Sequence, residues 1–390
     1  MPRSTMASDA SGWYARLDHV CSDRREQLSG WLDSWEEAVT HGTPIAATMP
    51  NHWPTLPAGL LSEPGAVVEH LLSRLEAVND GRSPRGAYST PSKLVHAVLA
   101  DELKSTRSKI SKSPPATLSL AAMPPGFRAY AERLNETVRD GRDEPDDEAV
   151  KAGERPRSGI PLPFADPAVG GGVVPSRAIR IHVLRSEASS PSEIRADTLR
   201  LLRGMQMVDS SEVAVACTRK RLLLTLARVG LVDLVGEGDE ARIGRREAEL
   251  MLESCVRCAD SLRGDWPWTE APRLLVSRPP WLRIKDRFRG HPEGSELRKR
   301  LSKSLRGTTE SDGSPRFAAL RGNVNLYRLF LERSMKLVRE DGRIRMIVPD
   351  ALLREKSSVA LRKLMVESNQ WVSSWSFPEP QRVFPGASQG

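Results

Sequence analysis

The sequence predicts an α/β protein in which helices cover both faces of a doubly wound parallel sheet, with a helical cap at the amino-terminal end. Strand-like apolar segments alternate with helical segments from residue 160 onwards, which is the pattern of such sheets. A glycine-rich turn, Asp166–Gly172, follows the first of these strands. Before that region, large apolar side chains recur at helical spacing instead.

The cap is predicted from its tryptophans and leucines. Trp13 and Leu17, and then Trp31 and Trp35, are four residues apart, as one face of an amphipathic helix requires. Residues 1–84 are therefore assigned to a helical cap, for which the sequence indicates a packing role.

The elements after the cap are predicted from the spacing of apolar residues and from the capping, proline and charged residues between them. Ser89 or Thr90 can cap a helix whose first turn holds Pro91, a position where proline is tolerated. Residues 137–158 are nearly all charged or turn-forming and predict a mobile surface linker. The predicted segments are 85–136 for that helix and its connection, 137–158 for the linker and 159–390 for the α/β domain. Within that domain, strands are predicted at 160–165, Met205–Asp209, Ser254–Ala259, Leu274–Ser277 and Ile344–Val348, and helices at Val173–Leu184, Glu212–Val229 and Leu326–Val338.

The amino-acid composition indicates which partners, metals and cell compartment to expect. The 390 residues include 58 Lys and Arg against 50 Asp and Glu, a formal charge of +8 that favours a polyanionic partner without proving one. Of four cysteines only Cys255 and Cys258 are close, and a zinc site needs about four ligands, so no metal is predicted. No apolar run approaches the roughly 20 residues that cross a bilayer, and no signal peptide is evident. We expect a soluble cytoplasmic protein with no membrane partner.

Glycines after the first strand are the first candidate site. Gly170, Gly171 and Gly172 let the backbone turn sharply and approach a ligand, and the next helix offers free amide groups. Such turns are common, so a plain tight turn stays open as the alternative.

Two acids follow later strands. Asp209 ends a strand where a ribose hydroxyl pair can be bound, although it could equally cap the helix that follows. Asp260 closes the next strand and could accept a hydrogen bond from an adenine amino group, or be an ordinary exposed loop aspartate.

The segment VSRPPW, Val276–Trp281, is the fourth motif. Pro279 and Pro280 fix a rigid loop without N–H groups and present carbonyls outward, and Trp281 offers a flat face for stacking on a base. Alone, it could equally be a proline-rich turn with a core tryptophan.

In this order the motifs resemble the adenine-N6-specific DNA methyltransferases with gamma-type motif order, as in single-chain restriction-modification and phage-exclusion enzymes. Residues 86–91 resemble the tyrosine-threonine-proline segment of that family, and Asp166–Gly172 resembles its glycine motif. VSRPPWLRIKDRF resembles the family's NPPY or NPPW segment with its basic tail, and Asn325–Leu353 resembles its later helix and strand. The resemblance extends from about Gly86 to the end of the sequence.

The resemblance implies a Rossmann-like S-adenosylmethionine-dependent methyltransferase sheet. Asp209 would bind the cofactor's ribose, Asp260 would lie near its adenine, and Thr90 with Pro91 near its methionine end. A target adenine flipped out of double-stranded DNA would stack on Trp281. The cofactor-binding residues implied are Tyr88, Thr90, Pro91, Asp166, Ala168, Gly170, Gly172, Asp209 and Asp260, and the catalytic segment is Ser277, Arg278, Pro279, Pro280 and Trp281.

Arg278 departs from the family pattern, in which an asparagine or aspartate precedes the first proline. A guanidinium has only donors, so Arg278 cannot accept a proton of the adenine amino group, and its charge opposes the charge that builds on N6. The carbonyl of Pro279 remains, and Ser277 is a weak substitute. Losing one well-placed polar contact typically slows catalysis about 100- to 1000-fold. Arg278 would instead suit a phosphate contact.

A second departure is that family members continue with further strands and a target-recognition domain. We expect a partner subunit to supply these, or the chain to be a truncated product. Two alternatives to a DNA methyltransferase stay open: a catalytically inactive subunit that binds DNA or cofactor, and a methyltransferase acting on protein glutamine or RNA. The tyrosine-threonine-proline segment and the helix after Asn325 argue against the last.

Overall fold

The computed structural model describes residues 5–20, 23–61, 64–78, 94–99, 160–186, 188–288, 291–318, 320, 324–369 and 374. The predicted linker at 137–158 lies outside these residues, as do Tyr88, Thr90 and Pro91, so what the sequence indicates for them stays a prediction.

Helices make up most of the described structure. They are α1 Thr5–Val20, α2 Arg24–His41, α3 Ala58–Leu61, α4 Gly65–Val78, α5 at 94–99, α6 Val173–Arg185, α7 Pro191–Arg203, α8 Glu212–Arg228, α9 Arg245–Cys255, α10 Ile284–Arg287, α11 Gly294–Arg306, α12 Leu326–Leu337, α13 Ala351–Arg354 and α14 Val359–Ser368, with 3-10 turns at Ile45–Ala47 and Lys356–Ser358. The strands are β1 Phe164–Asp166, β2 Met205–Asp209, β3 Val232–Asp233, β4 Ile243–Gly244, β5 Val256–Cys258, β6 Leu274–Ser277 and β7 Arg343–Met346.

Five parallel strands form the central sheet, in the order β5–β2–β1–β6–β7. Phe164 in β1 lies beside Met205 of β2 on one side and Leu274 of β6 on the other. The chain winds outward from β1 through β2 to β5, then crosses back to β6 and β7. In such sheets ligands bind beyond the carboxyl ends of the strands, where the winding reverses. The predicted doubly wound parallel sheet is confirmed.

Strand β5 begins later than the sequence predicts, because helix α9, which is not predicted, continues to Cys255. Ser254 and Cys255, expected in the strand, are the last two residues of α9. Ala248, Leu252 and Cys255 are buried at spacings of four and three, so the helical repeat continues to Cys255. The strand starts only at Val256.

Helix α8 joins the cap to the sheet. Leu222 and Leu226 pack into the cluster around the sheet, whereas Cys217 and Leu224 pack among the cap side chains, including Trp31. A helix with apolar side chains on two faces packs against other elements on both of them. The helical cap predicted from the tryptophan spacing is thus present and packs on the outer side of α8. None of the described helices is long and apolar enough to span a membrane.

Candidate active site

The glycine turn begins where β1 ends. Gly170 and Gly172 have φ values of 55° and 79°, a region that favours glycine. The hydroxyl of Thr218 in α8 donates to the carbonyl oxygen of Gly170 at 2.7 Å, which holds one side of the turn. On the other side the space in front of Gly170 is open, because a Cβ there would meet no described atom within 4 Å. The turn therefore leaves room for a ligand on that side.

Asp209 joins the end of β2 to this turn. Its Oδ2 accepts from the backbone N–H of Gly170 at 2.9 Å, and its Oδ1 from that of Ser211 at 2.9 Å. The cap of α8 is Ser211, whose side chain accepts from the N–H of Ala214, so capping is not the role of Asp209. Burial raises the pKa of Asp209, against its backbone hydrogen bonds, which lower it. Each carboxylate oxygen has a second lone pair with which to accept from a hydroxyl.

Asp166 and Ser277 link the glycine turn to the PPW loop, as we call residues 278–281. Oδ1 of Asp166 accepts from the N–H of Ala168 at 3.0 Å and from the hydroxyl of Ser277 at 2.7 Å. Both side chains are buried. Burial raises the pKa of Asp166 to about 7. Ser277 thus donates to Asp166. Its oxygen keeps lone pairs with which to accept, but the side chain is completely buried.

The PPW loop follows β6 directly. The guanidinium of Arg278 lies over the indole of Trp281, with Cζ 5.5 Å from the ring centroid. Nε1 of Trp281 donates to the carbonyl oxygen of Ile347 at 3.2 Å, and the ring packs against the cluster around Tyr327. Pro279 is buried and Pro280 half-buried. Trp281 is thus held by its neighbours, and the Arg278 guanidinium covers part of its ring.

Asp260 lies beyond the end of β5, next to β2 in the sheet. Its Oδ1 accepts from the N–H groups of Leu262 and Arg263, at 3.0 and 3.1 Å. Its Oδ2 pairs with the Arg263 guanidinium at 2.6 Å, and a third of the side chain stays exposed. Asp260 is therefore at the same edge of the sheet as Asp209, and solvent reaches it.

Two residues of this region were not predicted from the sequence. Arg221 in α8 donates to the carbonyl oxygen of Gly171 at 3.0 Å and pairs with Glu69 of the cap at 2.6 Å. Both side chains are almost fully buried. Burial raises the pKa of Glu69, while the nearby charges of Arg221 and Arg278 lower it. Arg221 and Glu69 thus connect the glycine turn to the cap. The available signal was an arginine among the leucines of α8 and a glutamate in the apolar run of α4.

The carboxyl ends of the parallel strands place these groups at one edge of the sheet. Carboxylate acceptors and an open glycine turn at this edge suit a nucleoside-containing ligand. In the part of the chain that the structure describes, no three His, Cys, Asp or Glu side chains come close enough to hold a metal ion.

Solved structures give distant similarities. The type IIG restriction endonuclease BpuSI is 14% identical over 88% of this chain and 31% of its own, with a TM-score of 0.41. DrdV in its DNA complex is 12% identical over 88% of this chain and 31% of the DrdV chain, with a TM-score of 0.42. A third structure is a Listeria monocytogenes protein assigned to the class I S-adenosylmethionine-dependent methyltransferases. It is 13% identical over 88% of this chain and 79% of its own, with a TM-score of 0.29. This chain spans about a third of the length of the first two.

No curated protein matches the sequence significantly. The family model of the Eco57I restriction-modification methylase matches residues 276–384, a span that begins within β6 and contains the PPW loop and α12. Over these residues the chain is similar to the Eco57I restriction-modification methylases, and the cofactor that this similarity implies is S-adenosylmethionine.

Proposed function

We propose that this chain is a DNA adenine-N6 methyltransferase-like protein of a restriction-modification or phage-defence system, with double-stranded DNA as substrate and catalysis impaired by Arg278. The observation that carries the proposal is the position of the PPW loop. It lies at the same sheet edge as the open glycine turn and Asp209, and it falls within the span that matches a methylase. The Ser277–Asp166 hydrogen bond ties the two parts together.

The glycine turn and the acids fit the cofactor. When bound, S-adenosylmethionine supplies a methyl group on a positively charged sulfur. Asp209 would accept from its ribose hydroxyls, Asp260 would lie near its adenine, and the open side of Gly170 leaves space for it. Tyr88, Thr90 and Pro91, with Asp166, Ala168 and Gly172, complete the proposed set.

The PPW loop would hold the target adenine. The bound cofactor would supply the methyl group to N6 of the adenine, and N6 would release a proton to solvent. The protein assists by accepting hydrogen bonds from the amino group, which makes the N6 lone pair available, and by holding the atoms in line. The carbonyl of Pro279 is the acceptor we assign, with Trp281 as the stacking surface. Arg278 donates only, so half of the expected acceptor pair is missing.

Arg278→Asn restores a side-chain acceptor and tests the proposal. Wild type, Arg278→Asn and Arg278→Lys are incubated with tritiated S-adenosylmethionine and duplex DNA of mixed sequence, and the product nucleosides are identified by mass spectrometry. We expect N6-methyladenine to form about 100- to 1000-fold faster with Arg278→Asn than with wild type. The lysine variant keeps the charge without an acceptor and should stay as slow as wild type.

Methylcytosine, labelled protein or labelled RNA in place of N6-methyladenine would contradict the proposed substrate. If Arg278→Asn transfers nothing to DNA although calorimetry shows that it binds S-adenosylmethionine, the loss of one acceptor is not the cause of inactivity. That result would favour the second candidate function.

That second candidate is a catalytically inactive subunit that binds DNA or cofactor, with a partner subunit supplying target recognition. The contact between Arg278 and Trp281 favours it, because a guanidinium already lies over the ring that a flipped base would need. A guanidinium at this place also suits a phosphate group.

A further inference from the structure

Helix α11 presents a row of cations next to α10, the short helix that follows the PPW loop in the chain. Leu305 is buried, and Leu301 packs with it against the apolar cluster that contains Ile284 and Val324. These two leucines are four residues apart, so they anchor one face of the helix. Its basic side chains are consequently displayed on the remaining surface.

A groove of about 430 Å³ runs between α11 and the segments that contain Ile284 and Val324. Its charged lining is entirely basic, and two hydroxyls, Ser295 and Ser302, lie among the cations. The basic lining residues are Lys285, Arg298, Lys299, Lys303 and Arg306. Lysine, arginine and serine side chains are the usual donors to phosphate oxygens.

Four of the five groove cations have no ion-pair partner among the residues that the structure describes. Among the residues described, no carboxylate lies within ion-pair distance of Lys285, Lys299, Lys303 or Arg306. On the same helix but outside the groove, Arg300 does have such a partner, Glu296, at 3.6 Å. Like charges gathered in a concave surface raise the local concentration of anions. The groove is therefore suited to a polyanion.

The groove is connected to the candidate base site. Leu282 and Leu326 are hydrogen-bonded through their backbones, and so are Ile284 and Val324, which fixes the floor of the groove relative to Trp281. Lys285 is the fourth residue after Trp281, so their Cα atoms are at most about 14 Å apart. At about 3.4 Å of helix axis per phosphate of one strand, this upper limit corresponds to about four phosphates. A strand of DNA lying in the groove could thus present a nearby base to the PPW loop.

We propose that this groove binds the phosphate backbone of duplex DNA flanking the target base. This inference rests on the proposed function, because it takes DNA as the partner. The groove contributes affinity that does not depend on base sequence, since phosphate contacts orient a protein on the duplex and carry no sequence information.

The test is the salt dependence of duplex binding. Fluorescence anisotropy with a labelled duplex of mixed sequence is measured between about 50 and 200 mM salt for wild type and for Lys299→Gln/Lys303→Gln. Each lost phosphate contact should reduce the slope of log K against log salt by about 0.9. We expect the double variant to bind at least about tenfold more weakly at the low-salt end, with a slope shallower by about 1.8.

Two controls remove one exposed cation each. Arg300→Gln changes the same helix outside the groove, and Lys363→Gln changes an exposed lysine of α14 that pairs with Glu367. Both should bind like wild type. Because all of these side chains are at the surface, circular dichroism and the melting temperature should be unchanged in every variant.

The outcomes separate this inference from the function on which it depends. If wild type binds duplex and the double variant binds equally well with the same slope, the groove is not the phosphate site, and DNA stays the proposed substrate. If wild type binds no duplex at low salt, both the groove assignment and the DNA substrate fail. Tighter, equally lysine-dependent binding of single-stranded RNA would make the groove an RNA site and overturn the duplex assignment.

Discussion

Asp166 is the carboxyl at which the glycine turn and the PPW loop meet. Its pKa is raised to about 7 chiefly by burial, and the carboxylate of Asp209 raises it further. The hydrogen bonds from Ser277 and Ala168 and the charge of Arg278 act in the opposite direction. Near neutral pH this side chain therefore exchanges a proton, whereas in the unfolded chain it is ionised.

Asp166→Asn should remove a pH-dependent cost of folding. Between pH ~4 and ~7 the folded state keeps the Asp166 proton that the unfolded state has lost, so wild-type stability falls as pH rises and then levels off. In the asparagine variant this contribution is absent. We expect the stability of Asp166→Asn relative to wild type to grow by about 1.4 kcal/mol per pH unit across this window.

Urea unfolding of both proteins at a series of pH values measures this difference. Ser277→Ala is a second test, because loss of its hydrogen bond should raise the folded-state pKa of Asp166 and extend the upper end of the window to higher pH. A difference between wild type and Asp166→Asn that stays constant from pH 4 to pH 8 would show that the buried carboxyl is ionised throughout.

At the scale of elements, α8 holds the glycine turn and the cap together through Arg221. The guanidinium contacts Gly171 on one side and Glu69 on the other, and both charged side chains are at least seven-eighths buried. Removing one partner of such a pair leaves the other charge buried without compensation. Arg221→Ala should therefore lower the free energy of unfolding by about 3–5 kcal/mol.

Denaturant unfolding gives this value directly. The matched control is Glu69→Gln/Arg221→Met, in which neither charge remains. It should cost less than Arg221→Ala alone, because the uncompensated carboxylate is gone. Equal losses in the single and the double variant would mean that packing of the arginine stem, and not the charge of Glu69, accounts for the effect.

Most of the sheet and its covering helices could be predicted from the sequence. Strands β2 and β6 agree with the sequence-based bounds because both are short, mainly apolar segments that end at a polar residue, Asp209 and Ser277. Helices α7 and α11 were not predicted, since polar residues dominate both and only a few leucines are buried. The capping box of Ser190 and Glu193 was the local signal for α7.

The site was predictable only where it depends on strand ends. Asp166 and Asp209 are the last residues of their strands, and the PPW loop directly follows β6. Parallel strands bring their carboxyl ends together, so the proximity of these groups follows from the fold. The Glu69–Arg221 pair joins residues 152 positions apart, on a cap helix and a sheet helix, and no local pattern specifies that contact. The position of Arg278 over Trp281 likewise depends on side-chain packing.

At the scale of the whole molecule, the cap and the α/β sheet share one helix. Leu224 is completely buried in the cap cluster, and two residues earlier Leu222 is completely buried in the sheet cluster. Neither cluster can lose α8 without exposing apolar surface. We therefore expect the cap and the sheet to unfold as one cooperative unit.

Leu224→Ala tests this coupling, because it leaves a cavity on the cap side only. It should lower the free energy of unfolding by about 2–5 kcal/mol. Hydrogen exchange followed by mass spectrometry should then show faster exchange by the same factor in α2 of the cap and in β2 of the sheet. Val366→Ala, at a position that is 67% exposed, is the control and should change neither rate. Faster exchange in α2 with unchanged exchange in β2 would make the cap a separate folding unit, and the glycine turn would then lose its support from Glu69 whenever the cap opened.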